Sequence, residues 1–173
     1  MTKKEFLKSV SNGKKDILQQ LLDLLKKTKS DYCVIGGLAV NAYCEPVVSL
    51  DLDLVIAAKS FETFIKSAQK IFKIKNFAHS VNLSSAESDL RIQIQIDKRY
   101  LNVIPRASTK KVLGYKMKVA AVEDILQGKI WAYSDEGRRK SKRQKDLADI
   151  FRLVESHPRL KKLLPEPLKK IVS

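Results

Sequence analysis

Asp51 and Asp53 stand two residues apart in the run Ser49-Leu50-Asp51-Leu52-Asp53-Leu54-Val55-Ile56, which is otherwise apolar beyond Ser49. In a strand, residues two apart share a face, so both carboxylates leave one side while Leu50, Leu52 and Leu54 enter a core on the other. Two like charges held side by side raise each other's pKa unless a cation lies between them. A divalent metal meets that need, and carboxylates with phosphate oxygens are the ligands Mg²⁺ prefers. The bland alternative is a strand face with two solvated acids. Upstream, Tyr32-Cys33-Val34-Ile35 reads as a short buried strand, Gly36-Gly37 as a turn, and Leu38-Ala39-Val40-Asn41-Ala42-Tyr43 as the apolar start of a helix. Glycines there permit positive φ and a close approach of phosphate, and a helix start offers unpaired N–H groups. Alone, Gly-Gly is more often only a turn; one helix before an acidic strand, it reads as a phosphate cradle facing a metal site.

These segments resemble the nucleotidyltransferases of the DNA polymerase beta-like superfamily, and within it the small AbiEii-type abortive-infection toxin enzymes. The family pattern is a Gly-Gly or Gly-Ser turn, a short spacer, then Pro-Arg-x-Thr-x-Asp-x-Asp; here it is Gly36-Gly37, then Pro46-Val47-Val48-Ser49-Leu50-Asp51-Leu52-Asp53. The likeness continues through Lys118-Val119-Ala120 and Ile125-Leu126-Gln127-Gly128-Lys129-Ile130-Trp131-Ala132. It ends at Arg143-Gln144-Lys145-Asp146-Leu147-Ala148-Asp149-Ile150-Phe151-Arg152-Leu153, similar to the family's Arg-x-Lys-Asp-x-x-Asp-x-x-x-Leu. The resemblance implies an α/β (α+β) fold, with a polymerase beta-like core on a mixed sheet and a helical C-terminal half. It implies transfer of a nucleoside monophosphate from a nucleoside triphosphate to an acceptor hydroxyl. Asp51 and Asp53 are then the ligands of Mg²⁺ or Mn²⁺, and Gly36, Gly37 and Ser49 belong to the nucleotide site.

Two departures stand out. Val47 replaces the family's Arg, and Cys44 stands where a Gly often precedes the acidic strand. The third carboxylate is also displaced. Arg91-Ile92-Gln93-Ile94-Gln95-Ile96-Asp97 alternates strictly, and the motif would put its acid at Gln95. Asp97, on the same face about 7 Å further on, is assigned as the third catalytic and metal-binding acid; the alternative is that it merely ends the strand, and Asp89 is an outside candidate.

Helical spacing adds further candidates. In a helix near 121–133, Lys129 falls seven residues after Val122, inside the apolar stripe of Val122, Ile125, Leu126 and Ile130. An inward lysine needs an anion or must snorkel to water, and Lys129 is assigned to the triphosphate. In a helix near 138–156, Leu147, Ile150, Phe151 and Val154 form the stripe, Arg143 shares its line, Asp146 flanks it and Lys145 points away. Arg143 and Lys145 are carried as nucleotide-binding and Asp146 as catalytic, either orienting Lys129 or Arg143 or acting on the acceptor nucleophile. The alternative for Asp146 is a surface ion pair with Lys142.

The remaining elements follow from hydrophobic period. Helices are expected near 14–27 and 61–73, the latter with Ser60 as N-cap, and strands near 32–36, 50–56, 77–82, 90–97 and 116–119. Pro158 and Pro165 break the tail. This gives an N-terminal helical segment (1–29), an α/β core (30–120) and C-terminal helices that complete the nucleotide site (121–173). With 173 residues and 44% apolar content the chain has ample core. Two cysteines without a C-x-x-C, and no signal peptide or apolar run of about 18 residues, point to a cytoplasmic protein away from membranes. A net charge of +15 favours a polyanionic partner. Its densest stretch, Arg138 to Lys145, lacks the interleaved aromatics of a single-strand stacking platform. An RNA acceptor, such as a tRNA end, is therefore expected. The competing readings are a catalytically degenerate relative that only binds nucleotide or nucleic acid, and a toxin–antitoxin interaction protein with an antitoxin partner.

Overall fold

The protein is described by a computed structural model over residues 1–172. Two N-terminal helices, α1 (Lys3–Val10) and α2 (Ile17–Lys27), precede β1 (Tyr32–Ile35) and the single-turn α3 (Gly36–Val40). Then come β2 (Asp51–Ile56), α4 (Ala58–Ala68), β3 (Lys73–Asn76), β4 (Ser80–Ser85) and β5 (Ser88–Gln95). Two short 3-10 turns, Lys98–Tyr100 and Ile104–Arg106, lead to the hairpin β6 (Ser108–Val112) and β7 (Tyr115–Val119). The chain closes with α5 (Val122–Ser134), α6 (Lys140–Ser156), a 3-10 segment (Pro158–Leu163) and α7 (Glu166–Val172). Among the described residues, no helix is long and apolar enough to cross a membrane.

The strands form one mixed sheet in the order β3-β4-β5-β2-β1-β7-β6. β2 is central, antiparallel to β1 and parallel to β5. The register sets Ile35 beside Asp53, Asp51 beside Arg91, and Asp53 beside Gln93. Leu52, Leu54 and Ile94 have no exposed surface and Ile92 almost none. At about 1.5–3 kcal/mol per buried aliphatic side chain, these residues fix which face of β2 points inward, and a one-residue slip would bury both acids instead. On one side α2 packs with α4 and reaches β5; elsewhere α3, α5 and α6 pack on one another beside β1 and β2.

Several element boundaries depart from expectation for local reasons. The second helix begins at Ile17, because the Asp16 carboxylate accepts from the Gln19 amide and caps it there. The helix expected from 61 begins at Ala58; Ser60 is not its cap but lies in its first turn, its hydroxyl donating to the Ala57 carbonyl. The strand expected over 77–82 straddles a turn, closed by the Phe77 amide on the Ser80 carbonyl, between β3 and β4. β6 escaped the hydrophobic pattern because it is a sheet edge carrying Lys110 and Lys111, a composition that protects an unpaired edge.

Candidate active site

A cavity of about 280 Å³ opens between the outward face of β2, the end of β1, β5 and helices α5 and α6. Asp51 and Asp53 both line it, with Gly36, Gln93, Gln95 and Lys129. Gly36 has φ +71°, and a Cβ built on it would collide with the Asp53 carboxylate. Only glycine meets both constraints. Gly37 is set back from the cavity: a Cβ there would lie 3.9 Å from Ser49 Oγ and 4.0 Å from Lys129 Nζ. Ser49, itself buried, pins the start of β2, accepting from the Asp51 amide and donating to the Asp51 carbonyl.

The two acids differ in their surroundings. Asp51 is held at both oxygens, Oδ1 by Arg91 at 2.7 Å and Oδ2 by Lys142 at 3.3 Å. Burial pushes its pKa up, but Lys142 and Arg91, with a smaller contribution from Lys145, outweigh it and leave it below the ordinary value. Asp53 makes no ion pair or side-chain hydrogen bond among the described residues. Enclosure pushes its pKa up to about 6; Lys129 opposes this and the neighbouring Asp51 reinforces it.

Behind them lies a second charged cluster. Lys129 is buried, with Nζ 2.7 Å from Asp149 Oδ2 and 3.0 Å from Asp146 Oδ1. Burial works against its charge, yet Asp149 and Asp146 prevail and raise its pKa. Asp146 also accepts from Arg138 at 2.7 Å, and Asp149 from Arg152 at 2.7 Å. Arg152 continues to Asn41 Oδ1 and the Glu45 carbonyl, while the Asn41 side chain both donates to and accepts from the Val47 backbone. The chain Arg138–Asp146–Lys129–Asp149–Arg152 thus ties α5 and α6 to the stretch that enters β2.

Several assignments change. Asp97 lies outside the cavity: β5 ends at Gln95, Ile96 is exposed, and Asp97 turns to cap the 3-10 segment and chelate Arg99 at 2.8–3.0 Å. Asp89 instead accepts from Asn12 at the far end of β5. Where a third acid from β5 was expected, Gln93 and Gln95 line the cavity. Arg143 donates to the Tyr133 carbonyl at 2.6 Å and stacks over its ring, away from the cavity. Lys145 is exposed, as its place on the helix requires. Asp146 is no surface pair with Lys142: it is 2% exposed and bound to Lys129 and Arg138. Arg138, read from sequence only as part of a basic run, and Lys142, read there and as a surface partner for Asp146, line the cavity, as does Tyr100. Lys142 precedes Asp146 by four positions and Asp149 by seven, so the inward stripe was visible once charged residues were admitted to it.

No protein-family model matches the chain, and no curated protein matches its sequence. Solved structures do. The lincosamide antibiotic adenylyltransferase LnuA, lincomycin-bound, superposes with a TM-score of 0.57 at 15% identity, over 80% of this chain and 96% of that one. The chain has the nucleotidyltransferase fold. ANT(2")-Ia in complex with adenylyl-2"-tobramycin gives a TM-score of 0.61 at 14% identity, covering 90% of this chain and 94% of that one. An antigenic nucleotidyltransferase-like protein from Paracoccidioides brasiliensis gives 0.54 at 21% identity, over 86% and 75% of the two chains. Within this nucleotidyltransferase fold, the donor set at Asp51 and Asp53 suits a hard divalent cation: two carboxylates on one face, one of them without an ion-pair partner among the described residues, beside open volume. Among the described residues no group of three or more His, Cys, Asp or Glu forms a closed metal site. A cation here would therefore draw its other ligands from water and substrate phosphates, which is how Mg²⁺ commonly binds.

Proposed function

We propose that this protein is a metal-dependent nucleotidyltransferase that moves a nucleoside monophosphate from a nucleoside triphosphate to an acceptor hydroxyl. One observation carries the reading: Asp51 and Asp53 share a cavity wall with a positive-φ glycine whose missing Cβ leaves room only for hydrogen beside Asp53. Asp51 and Asp53 would hold Mg²⁺ or Mn²⁺, which when bound neutralises charge on the phosphate oxygens and the leaving pyrophosphate. Gly36 keeps the approach to Asp53 clear. Arg138 and Lys142, on the cavity wall, supply cations for the phosphates. Lys129 contributes by bridging Asp146 and Asp149, to which its ammonium is already committed.

The acceptor we assign is an RNA hydroxyl. The net charge of +15 and the exposed Arg139, Lys140 and Lys145 around Lys142 support it. LnuA and ANT(2")-Ia are antibiotic-modifying relatives in fold, so a small hydroxylated acceptor is the competing outcome. Gln93 and Gln95, in place of a third acid, favour a second reading: a degenerate nucleotide or nucleic-acid binder of the toxin–antitoxin kind, with an antitoxin partner.

The test is incubation with Mg²⁺, all four labelled triphosphates, total RNA and cell extract, followed by mass spectrometry. Nucleotidylated RNA that Asp51→Asn lowers about 10³-fold is the expected result. Labelled small molecule or protein without labelled RNA would refute the acceptor, and triphosphate binding without any product would favour the degenerate reading.

A further inference from the structure

Asp51 and Asp53 sit on one face of one strand, yet cations cover only one of them. Each oxygen of Asp51 has its own: Arg91 from β5 and Lys142 from α6. Asp53 has none among the described residues. A divalent ion shared by the two acids needs an oxygen of Asp51. Arg91 is mostly solvent-exposed and sits beside Asp51 in the strand register, outside the lining of the cavity. Lys142 differs: its side chain is 35% exposed, lines the cavity itself, and meets Asp51 at the longer, looser distance of 3.3 Å. No other carboxylate pairs with it among the described residues.

From this we infer that Lys142 is a place-holding cation. Resting on the proposed metal-binding role of Asp51 and Asp53, it neutralises Asp51 in the metal-free protein and yields that carboxylate when the metal arrives. Its ammonium, once displaced, remains on the cavity wall, where Asp146, one turn along α6, is already held by Lys129 and Arg138. An incoming phosphate group is then its available partner. Metal binding and triphosphate binding become coupled through one side chain, each making the other more favourable. Lys142 is thus a positioning residue for the metal site, in competition with the ion. The cation's partial exposure limits its grip on Asp51 to the range of a solvent-screened pair, so displacement is easy.

The experiment measures Mn²⁺ binding by calorimetry and electron paramagnetic resonance, without nucleotide and then with a non-hydrolysable triphosphate. The proteins are wild type, Lys142→Met, Lys142→Arg and Asp51→Asn. Without nucleotide, Lys142→Met should bind Mn²⁺ about two- to fivefold more tightly than wild type, the worth of a screened ion pair. Lys142→Arg, keeping the charge, should stay close to wild type. With the triphosphate present, the nucleotide-induced tightening of Mn²⁺ should shrink in Lys142→Met. Unchanged or weaker Mn²⁺ binding in Lys142→Met, with Asp51→Asn strongly impaired, would overturn the place-holding role and leave the metal site standing. Equal Mn²⁺ binding by wild type and Asp51→Asn would remove the metal reading and this inference with it.

Discussion

Two clusters of charge lie within one fold, and they are finished to different degrees. Around Lys129 the ledger is closed: its ammonium meets two carboxylates, and each carboxylate meets an arginine, in a setting with almost no solvent. Around Asp53 it is open, since an enclosed acid with no ion-pair partner among the described residues lines a cavity beside a glycine that nothing larger can replace. The saturated cluster is architecture. The unsaturated one is where a ligand's charge is wanted, because an enclosed carboxylate that lacks a cation is costly unless something else supplies one.

The largest effect that would sharpen this contrast comes from the closed cluster. Lys129→Met strips Asp146 and Asp149 of the ammonium they share and leaves each with a single arginine in a dry setting, and urea denaturation should show a loss of about 3–5 kcal/mol. A loss below 1 kcal/mol would mean that the cluster is not the structural one. Gly36→Ala comes next, combining a left-handed backbone with a collision against Asp53. Its cost of about 1–2 kcal/mol should appear as a lower Tm, together with loss of nucleotidyl transfer.

Asp53→Asn gives an effect of similar size on stability and opposite sign. In the metal-free protein Asp53 has a pKa of about 6 against an ordinary 3.8. Between those values the folded state binds more protons than the unfolded state, so stability falls as pH rises through the window. Asparagine removes that penalty. In EDTA the variant should be more stable than wild type by about 1–2 kcal/mol at pH 7, after discounting for solvent screening, and equal to it below about pH 4. Calorimetric melts at the two pH values check it; equal Tm at both would show Asp53 to be solvated. Smallest of all is Arg143→Ala. Because that guanidinium is occupied by the Tyr133 carbonyl and ring, triphosphate affinity should move less than about twofold.

The same contrast explains what the sequence could disclose. β2 was legible because Leu52 and Leu54 must be buried, and that alone orients the acids between them. Gly36-Gly37 was legible as a bend, but not that position 36 abuts Asp53, which depends on the β1–β2 register. The third acid misled because alternation on paper has no end. In the sheet it stops at Gln95, opposite Ser80, where β4 itself begins, so Asp97 falls past the last rung. Arg138 and Lys142 were hidden inside a run of like charges. Composition cannot separate residues turned toward Asp146 and Asp51 from Arg139 and Lys140 in solvent. Lys129 was recognised as facing inward, but its partners lie seventeen and twenty positions later, and only the packing of α5 on α6 brings them together.

Arg152 carries a consequence of its own. It holds the irregular passage between α3 and β2 by gripping Asn41 and the Glu45 carbonyl, while Asn41 clasps Val47. That passage, though it has no helix or strand, is tied down at Asn41, Glu45 and Val47, and the entropy of stilling it is met in part by a residue far along the chain. The approach to the strand that carries Asp51 and Asp53 is therefore braced from behind, like a bridge deck hung from a distant pier.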